Sequence, residues 1–542
     1  MSNRFTRAVA LLAASAMTFF PVSPANAQSS SPTATPIKHL VVIFQENVSF
    51  DHYFGTYPNA LNPAGEPAFH ARPNTPAVNG LSAGLLTNNP NLNPLNGAGA
   101  TNPFRLDRSQ NVTRSQGHGY KQEQQAFDNG LMDLFPLYVG RSGPPPAGGG
   151  VTSTTGVNLG YFDGNTVTAY WNYAQHFAMS DNSYSTGFGP STPGMLNLIS
   201  GQTNGAINIS PAAITFGEVV DGGAGSSTVV GDPDPVGDSC SGSAVVSMKG
   251  QNVGDLLNAA GVSWGAFMGG FDLTIQNPNG TTGCKRSSTG LAATIADYIP
   301  HHAWFQYYPS TANLTHARPA SISEIGNAGP ANHQYDMNDF FAAVGAGNFP
   351  AVSFLKAQSY QDGHAGYSDP LDEQQFVVNV VNFLQTRPEW SSTAVVIMYD
   401  DSDGWYDHQI GPILNQSHGV ADALTGVGLC GSAADSTALP GVDSTNPHAL
   451  GRCGLGPRQP LLVVSPWARK NFVDHSVTDQ TSVLRFVEDN WLQGQRIGQG
   501  SFDAITNSIT QMFDFSQNNN DQGNGILILD PLTGQILTSN SQ

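Results

Sequence analysis

Five short runs along the chain are almost unbroken in apolar residues: Leu40–Phe44, Ser263–Met268, Pro350–Leu355, Thr393–Tyr399 and Gln459–Val464. Runs of this length without polar alternation predict strands buried on both faces. Between them lie stretches that read as helices: from Lys121 to a stop at Gly130, Thr166 to Phe177, Asn252 to Ala260, Leu371 to Gln385, and Ser482 to Trp491. A further helix runs to Ser200, with Thr192 as the expected N-cap, Pro193 in its first turn and Gly201 just past its end. After the first strand, Ser49 is placed to cap a short turn carrying Phe50, Tyr53 and Phe54, closed by Gly55. Ile526 to Leu537 reads as a terminal hairpin. Buried strands alternating with helices predict an α/β fold, with a central, mostly parallel sheet covered on both faces. No repeat of fixed period is present.

The polar stretches fill in the organisation. Residues 56–117 read as a long ordered loop and residues 143–155, with Pro144–Pro146 and Gly148–Gly150, as a flexible connection. Residues 205–245 read as short strands and turns, part of a Gly/Ser-rich β-type insertion over about 205–290. The chain has 542 residues, more than one ordinary core of roughly 250–300 residues holds. The first 27 residues have the layout of a signal peptide: Arg4 and Arg7, an apolar stretch from Ala8 to Phe20, and Ala25-Asn26-Ala27 before a cut near Gln28. The remainder, 28–542, reads as a single large domain with its core at about 36–491, exported to the periplasm or beyond. No later stretch is apolar enough for stable membrane insertion.

Composition narrows the partners. The formal charge is −19, and losing Arg4 and Arg7 with the leader would make it −21. Such an acidic chain offers no basic groove for phosphate backbones, so nucleic acid is excluded as a partner. Four cysteines in an exported chain suggest disulfides. Cys240–Cys284 and Cys430–Cys453 are the favoured pairs, since each brackets one Gly/Ser-rich excursion. No oligomeric state follows from any of this.

The chemistry collects at strand ends. The strand at Leu40–Phe44 is followed at once by Glu46 and Asn47, and the strand at Thr393–Tyr399 by Asp400 and Asp401. Adjacent aspartates repel unless a cation or several donors neutralise them. These hard oxygens favour one hard divalent ion, with Fe or Zn left open. Ser191 sits at the start of a helix, where unpaired N–H groups and the dipole favour an anion such as phosphate. A cation beside it would make its hydroxyl a nucleophile. His118, His301, His302, His364 and His408 all lie in loops, suited to holding phosphoryl oxygens or moving a proton.

Longer motifs carry a resemblance. Gln45-Glu-Asn-Val-Ser-Phe-Asp-His-Tyr-Phe-Gly55, Phe188-Gly-Pro-Ser-Thr-Pro193 and Tyr399-Asp-Asp-Ser-Asp-Gly-Trp-Tyr-Asp-His408 resemble motifs of the bacterial phosphoesterase family. That family contains non-haemolytic phospholipases C and a branch of secreted acid phosphatases. Gly454-Leu-Gly-Pro-Arg458, Val464-Ser-Pro-Trp467 and the stretch from His475 to Glu488 are similar to further family segments. The resemblance implies an alkaline-phosphatase-like sandwich with a metal held by Glu46, Asn47, Ser191, Asp400 and Asp401. The phospholipase branch typically has Thr at the nucleophile and Glu as the second acid, whereas this chain has Ser191 and Asp401. That favours phosphomonoesters, hydrolysed through a phosphoserine, over phosphodiesters such as phosphatidylcholine. In this reading His364 or His302 protonates the leaving alcohol, while His118, His301 and His408 hold phosphoryl oxygens. Activity is then expected to favour mildly acidic pH.

Overall fold

The structure, a computed structural model, describes residues 32–143, 150–426, 428–431, 442, 449–516 and 525–539. The expected leader at 1–27 and Pro144–Gly149 of the expected flexible connection lie outside the described residues. The centre is an eight-stranded sheet. In chain order its strands are β1 (His39–Gln45), β2 (Ala178–Ser180), β3 (Trp264–Met268), β4 (Gln334–Asp336), β5 (Val352–Lys356), β6 (Thr393–Tyr399), β7 (Leu461–Val464) and β8 (Phe472–Asp474). Across the sheet they run β4-β3-β5-β1-β6-β7-β2-β8. β7 pairs antiparallel with both β6 and β2, and the other five pairings are parallel.

The expectation of a mostly parallel sheet therefore holds, and burial explains why the strands read as they do. Every residue of β6, and all of β1 after His39, is buried. Successive strand side chains point to opposite faces, so an unbroken apolar run is what a sheet covered on both sides requires. Helices Ser191–Ser200 and Thr481–Trp491 pack on each other, while Pro370–Gln385 packs against Thr168–His176 and the terminal hairpin strand Leu527–Leu529.

The short helix Phe50–Phe54 forms as expected, with the Ser49 hydroxyl accepting from the His52 N–H at 3.3 Å. Within the expected insertion, short strands pair as a hairpin (Val219–Gly223 with Ser226–Val229) and as a small three-stranded sheet. That stretch also supplies β3, a strand of the main sheet. Both expected disulfides are present, with Cα atoms 5.3 Å apart for Cys240–Cys284 and 5.7 Å for Cys430–Cys453. Among the described residues no helix is long and apolar enough to cross a membrane.

One buried acid ties the scaffold under the site together. Glu373, fully buried, accepts hydrogen bonds from Tyr53 (2.7 Å) on the short helix and Tyr399 (2.8 Å) at the end of β6. Burial, against the pull of these tyrosine bonds, pushes its carboxyl up from 4.5 to about 7. A folded-state value above the unfolded one means the folded chain binds the extra proton between the two. Stability contributed by that proton is present below pH 4.5 and is lost as pH rises towards 7, roughly 3 kcal/mol in all. Glu373→Gln removes the titration. Its stability relative to the native chain should therefore rise by roughly that amount between pH 4 and pH 8 in denaturant melts. A difference that does not change with pH would contradict the buried proton.

Candidate active site

Register brings the two carboxylate motifs together. β1 and β6 are parallel neighbours with Gln45 opposite Tyr399, so Glu46 and Asp400 leave the same edge side by side. The Asp400 N–H donates to the Gln45 carbonyl at 3.1 Å, carrying the pairing one step past the strand. This carboxyl edge is where α/β sheets hold ligands. Asn47 then turns with φ of 64°. Its N–H donates to Asp400 Oδ1 at 2.9 Å, and its Nδ2 donates to Asp403 Oδ1 at 3.1 Å.

The helix Ser191–Ser200 abuts this edge directly. A Cβ on Gly194 would stand 2.3 Å from the Asp400 carbonyl oxygen, so only glycine lets the helix approach this closely. Ser191 is the first helical residue and Pro190 the N-cap, not Thr192 as the sequence suggested. The first-turn N–H groups have no partner within a helix, so Pro193 is tolerated there and does not mark the helix start. The Ser191 hydroxyl lies 3.1 Å from Glu46 Oε2 and 3.2 Å from Asp401 Oδ2.

A hydroxyl has one proton and can satisfy only one of two carboxylates. Asn47 Oδ1 and Asp400 Oδ2 are also buried, without hydrogen-bond partners. Burial, with Asp400 close by, pushes the Glu46 and Asp401 carboxyls well above their usual range, although Lys356 pulls the first down and His118 the second. Glu46, Asn47, Ser191, Asp400 and Asp401 thus form one buried, linked set of oxygens with too few protons. That donor set fits a hard divalent cation.

The remaining predicted residues divide. His118 Nδ1 is 3.0 Å from Asp403 Oδ1, and its ring meets that of His364 edge-on with centroids 6.1 Å apart. Burial opposes its charge, but Asp401 and Asp403 outweigh that and raise its pKa well above the ordinary value. His302 is buried, with Nδ1 3.3 Å from Glu46 Oε1. Burial, His301 and Lys356 push its pKa well down, which keeps the ring neutral. His364 bonds the Ala365 carbonyl through Nδ1 at 2.7 Å and is lowered chiefly by burial. His301 is partly exposed, 3.5 Å from Asp234 Oδ1, and is raised because Asp234 and Asp232 outweigh burial.

His408 stands apart from these four. Its hydrogen bonds go to Asp51 Oδ2 (2.7 Å) and Asn79 Oδ1 (3.1 Å), within a buried network where Arg458 binds Asp51 and Asp407. That network fastens the Asp400–His408 loop to the Phe50–Phe54 helix.

Four further charged groups at the site were not singled out by the sequence reading. Lys356, at the end of β5, ion-pairs with Glu46 Oε1. Asp362 has its Oδ2 4.0 Å from His302. Asp403 has φ of 51°, and its Oδ1 lies within hydrogen-bonding distance of Asn47, Ser115, Gln116 and His118. Asp232, from the insertion, accepts the Thr192 N–H at 2.9 Å. The N–H expected to be free for phosphate is therefore already bonded to a carboxylate that satisfies the same helix dipole. Asp403 lies within the Tyr399–His408 motif but away from the strand end, and the other three lie outside the motifs.

A cleft of about 400 Å³ adjoins the site, lined by His118, Lys121, Arg141, Pro190, Glu218 and Asp232 among others. Pro190, the residue before Ser191, forms part of its wall.

Known proteins with similar sequences share most of this chain. It is 24% identical over 492 residues to the non-hemolytic phospholipase C of Pseudomonas aeruginosa, covering 90% of this chain and 58% of that protein. It is 24% identical over 494 residues to phospholipase C A of Mycobacterium tuberculosis, covering 89% of this chain and 78% of that protein. It is 22% identical over 457 residues to non-specific phospholipase C6 of Arabidopsis thaliana, covering 82% and 65%. The chain spans 58% and 61% of the length of the two non-hemolytic phospholipases C it matches. A solved structure of murine ectonucleotide pyrophosphatase/phosphodiesterase 5 matches 64% of this chain and 95% of its own at 12% identity, with a TM-score of 0.29. A family model described as the phosphoesterase family matches residues 37–492, and the chain belongs to that family.

Proposed function

We propose that this chain hydrolyses phosphoric esters by nucleophilic attack of Ser191. The observation that carries this is the Ser191 hydroxyl, held at a helix start between the carboxylates of Glu46 and Asp401 and beside orphaned buried oxygens. Ser191 Oγ attacks phosphorus, its proton passes to one of those carboxylates, and the bond from phosphorus to the leaving oxygen breaks. Water then cleaves the phosphoserine. A divalent ion held by Glu46, Asn47, Ser191, Asp400 and Asp401 would supply positive charge that lowers the hydroxyl pKa and offsets charge on the phosphoryl group.

The histidines take separate roles in this proposal. His118, whose pKa is raised by Asp401 and Asp403 against burial, holds phosphoryl oxygens in this proposal, as does His301. His364 is the candidate proton donor to the leaving alcohol, and His302, whose pKa burial pushes well down, is the less suited of the two. The lowered pKa of His364 means its acid form is populated only below the ordinary histidine range. Turnover limited by that proton should rise as pH falls below about 6.5.

Two substrate classes are in view. The names of the relatives favour a phospholipase C acting on phosphodiesters of lipids. Ser191 and Asp401, in place of the Thr and Glu of that branch, favour an acid phosphatase acting on small phosphomonoesters. Export, as the leader suggests, is supported by two disulfides, which persist in oxidising compartments.

Comparing p-nitrophenyl phosphate with p-nitrophenyl phosphorylcholine at pH 5 and pH 8 separates the readings. Preference for the first, strongest at pH 5, supports the monoesterase, and preference for the second supports the phospholipase. No hydrolysis of either with divalent ions supplied would leave a binding protein that kept the fold.

A further inference from the structure

The pairing of Lys356 with Glu46 leads beyond the reaction itself. Lys356 is the last residue of β5, its side chain is fully buried, and its ammonium ion-pairs with Glu46 Oε1. The opposite oxygen of the same carboxylate, Oε2, faces Ser191. Glu46 therefore bridges a fixed cation on one side and the nucleophile with its ion-binding oxygens on the other.

The surroundings of that ammonium are unusual for a lysine. Glu46, His302 and Asp362 are all buried, and each offers one ligand-capable atom within 4.8 Å of the other two. Two carboxylates and an imidazole at that spacing make a donor set for a divalent ion. Lys356 binds one of the three, and Asp362 and Asp400 also act on its charge. Beside it, His302 Nδ1 lies 3.3 Å from Glu46 Oε1.

Buried carboxylates need compensating charge, because an unpaired ion out of water is costly. A second metal ion or a lysine can supply it here. The lysine supplies it permanently, without dependence on metal supply, and from a rigid strand end.

We propose that the Lys356 ammonium takes the place of a second divalent ion between Glu46, His302 and Asp362, so that the chain holds one exchangeable ion and gains a second site when Lys356 is removed. Lys356 is in this sense a positioning residue: it fixes Glu46, which in turn holds Ser191. The inference rests on the reading that Glu46, Asn47, Ser191, Asp400 and Asp401 bind one ion.

Counting metal tests it. The full chain, its Lys356→Ala and Lys356→Met variants, and Lys356→Ala combined with Asp362→Asn are loaded with Zn²⁺ or Mn²⁺ and desalted. Bound ions are then counted by mass spectrometry, with circular dichroism to report folding. The expected result is one ion per native chain, two per chain in the folded single variants, and one again in the double variant.

Folded single variants that still bind one ion would overturn the proposal, as would a native chain that binds two. Anomalous diffraction from native crystals soaked in Mn²⁺ gives a reading that needs no variant. A peak among Glu46, His302 and Asp362 overturns the proposal, and a single peak at the Ser191 side supports it. A native chain that binds no ion at all would instead overturn the underlying one-ion reading.

Discussion

Ser191→Ala is expected to lower kcat by about 10⁴-fold or more against whichever phosphoester the native chain hydrolyses best, because nucleophile removal leaves only binding and electrostatic contributions. The change deletes one buried oxygen at the first position of a helix whose N-cap is a neighbouring proline backbone, so no cap is lost. Helix packing is also untouched, since the close approach to Asp400 is made by Gly194. Folding should therefore survive while turnover does not. Ser191→Thr, which keeps a hydroxyl at the same place, should retain measurable activity. Acid quenching of the native enzyme with ³²P-labelled substrate should trap label on Ser191, and none on the alanine variant. Native-like turnover by the alanine variant would put the nucleophile elsewhere.

Asp400→Asn should reduce bound divalent metal and activity together, each by about 100-fold or more in affinity or rate, since even hydrogen-bond partners of metal ligands typically contribute 10–100-fold. The atoms make this substitution unusually clean. Asp400 Oδ1 accepts the N–H groups of Asn47 (2.9 Å) and Asp401 (2.7 Å), and an asparagine carbonyl can accept both. Oδ2 is the buried oxygen without a partner. An amide NH₂ in its place has no lone pair to give a cation. The local turn is preserved and only the ligand is lost. Metal counting and a turnover assay on the same preparations check this. Loss of activity with full metal content, or the reverse, would contradict a shared site.

Much of this arrangement was legible in the chain. Unbroken apolar runs reported β1, β3, β5, β6 and β7 to within a residue or two, because a strand covered on both faces leaves no place for polar alternation. Glu46, Asn47, Asp400 and Asp401 were visible because they follow such runs directly, where a buried strand must end. The two disulfides were visible as brackets around loops.

Tertiary structure decided which of these groups meet. The parallel register that sets Gln45 opposite Tyr399 joins residues 353 positions apart, Asn47 and Asp400, into one hydrogen bond. No local pattern carries that information. His408 looked equivalent to the other histidines, since it closes the Asp400 motif, yet a buried arginine and Asp51 draw it into a network of its own.

Lys356, one residue beyond the strand that the apolar run predicted, and Asp362, Asp403 and Asp232, in three separate loops, had nothing to distinguish them as a set. Local hydrophobic pattern dictates what is buried and in which element. Charge compensation among buried groups depends on distances of a few ångströms between distant parts of the chain, and only the folded structure sets those distances.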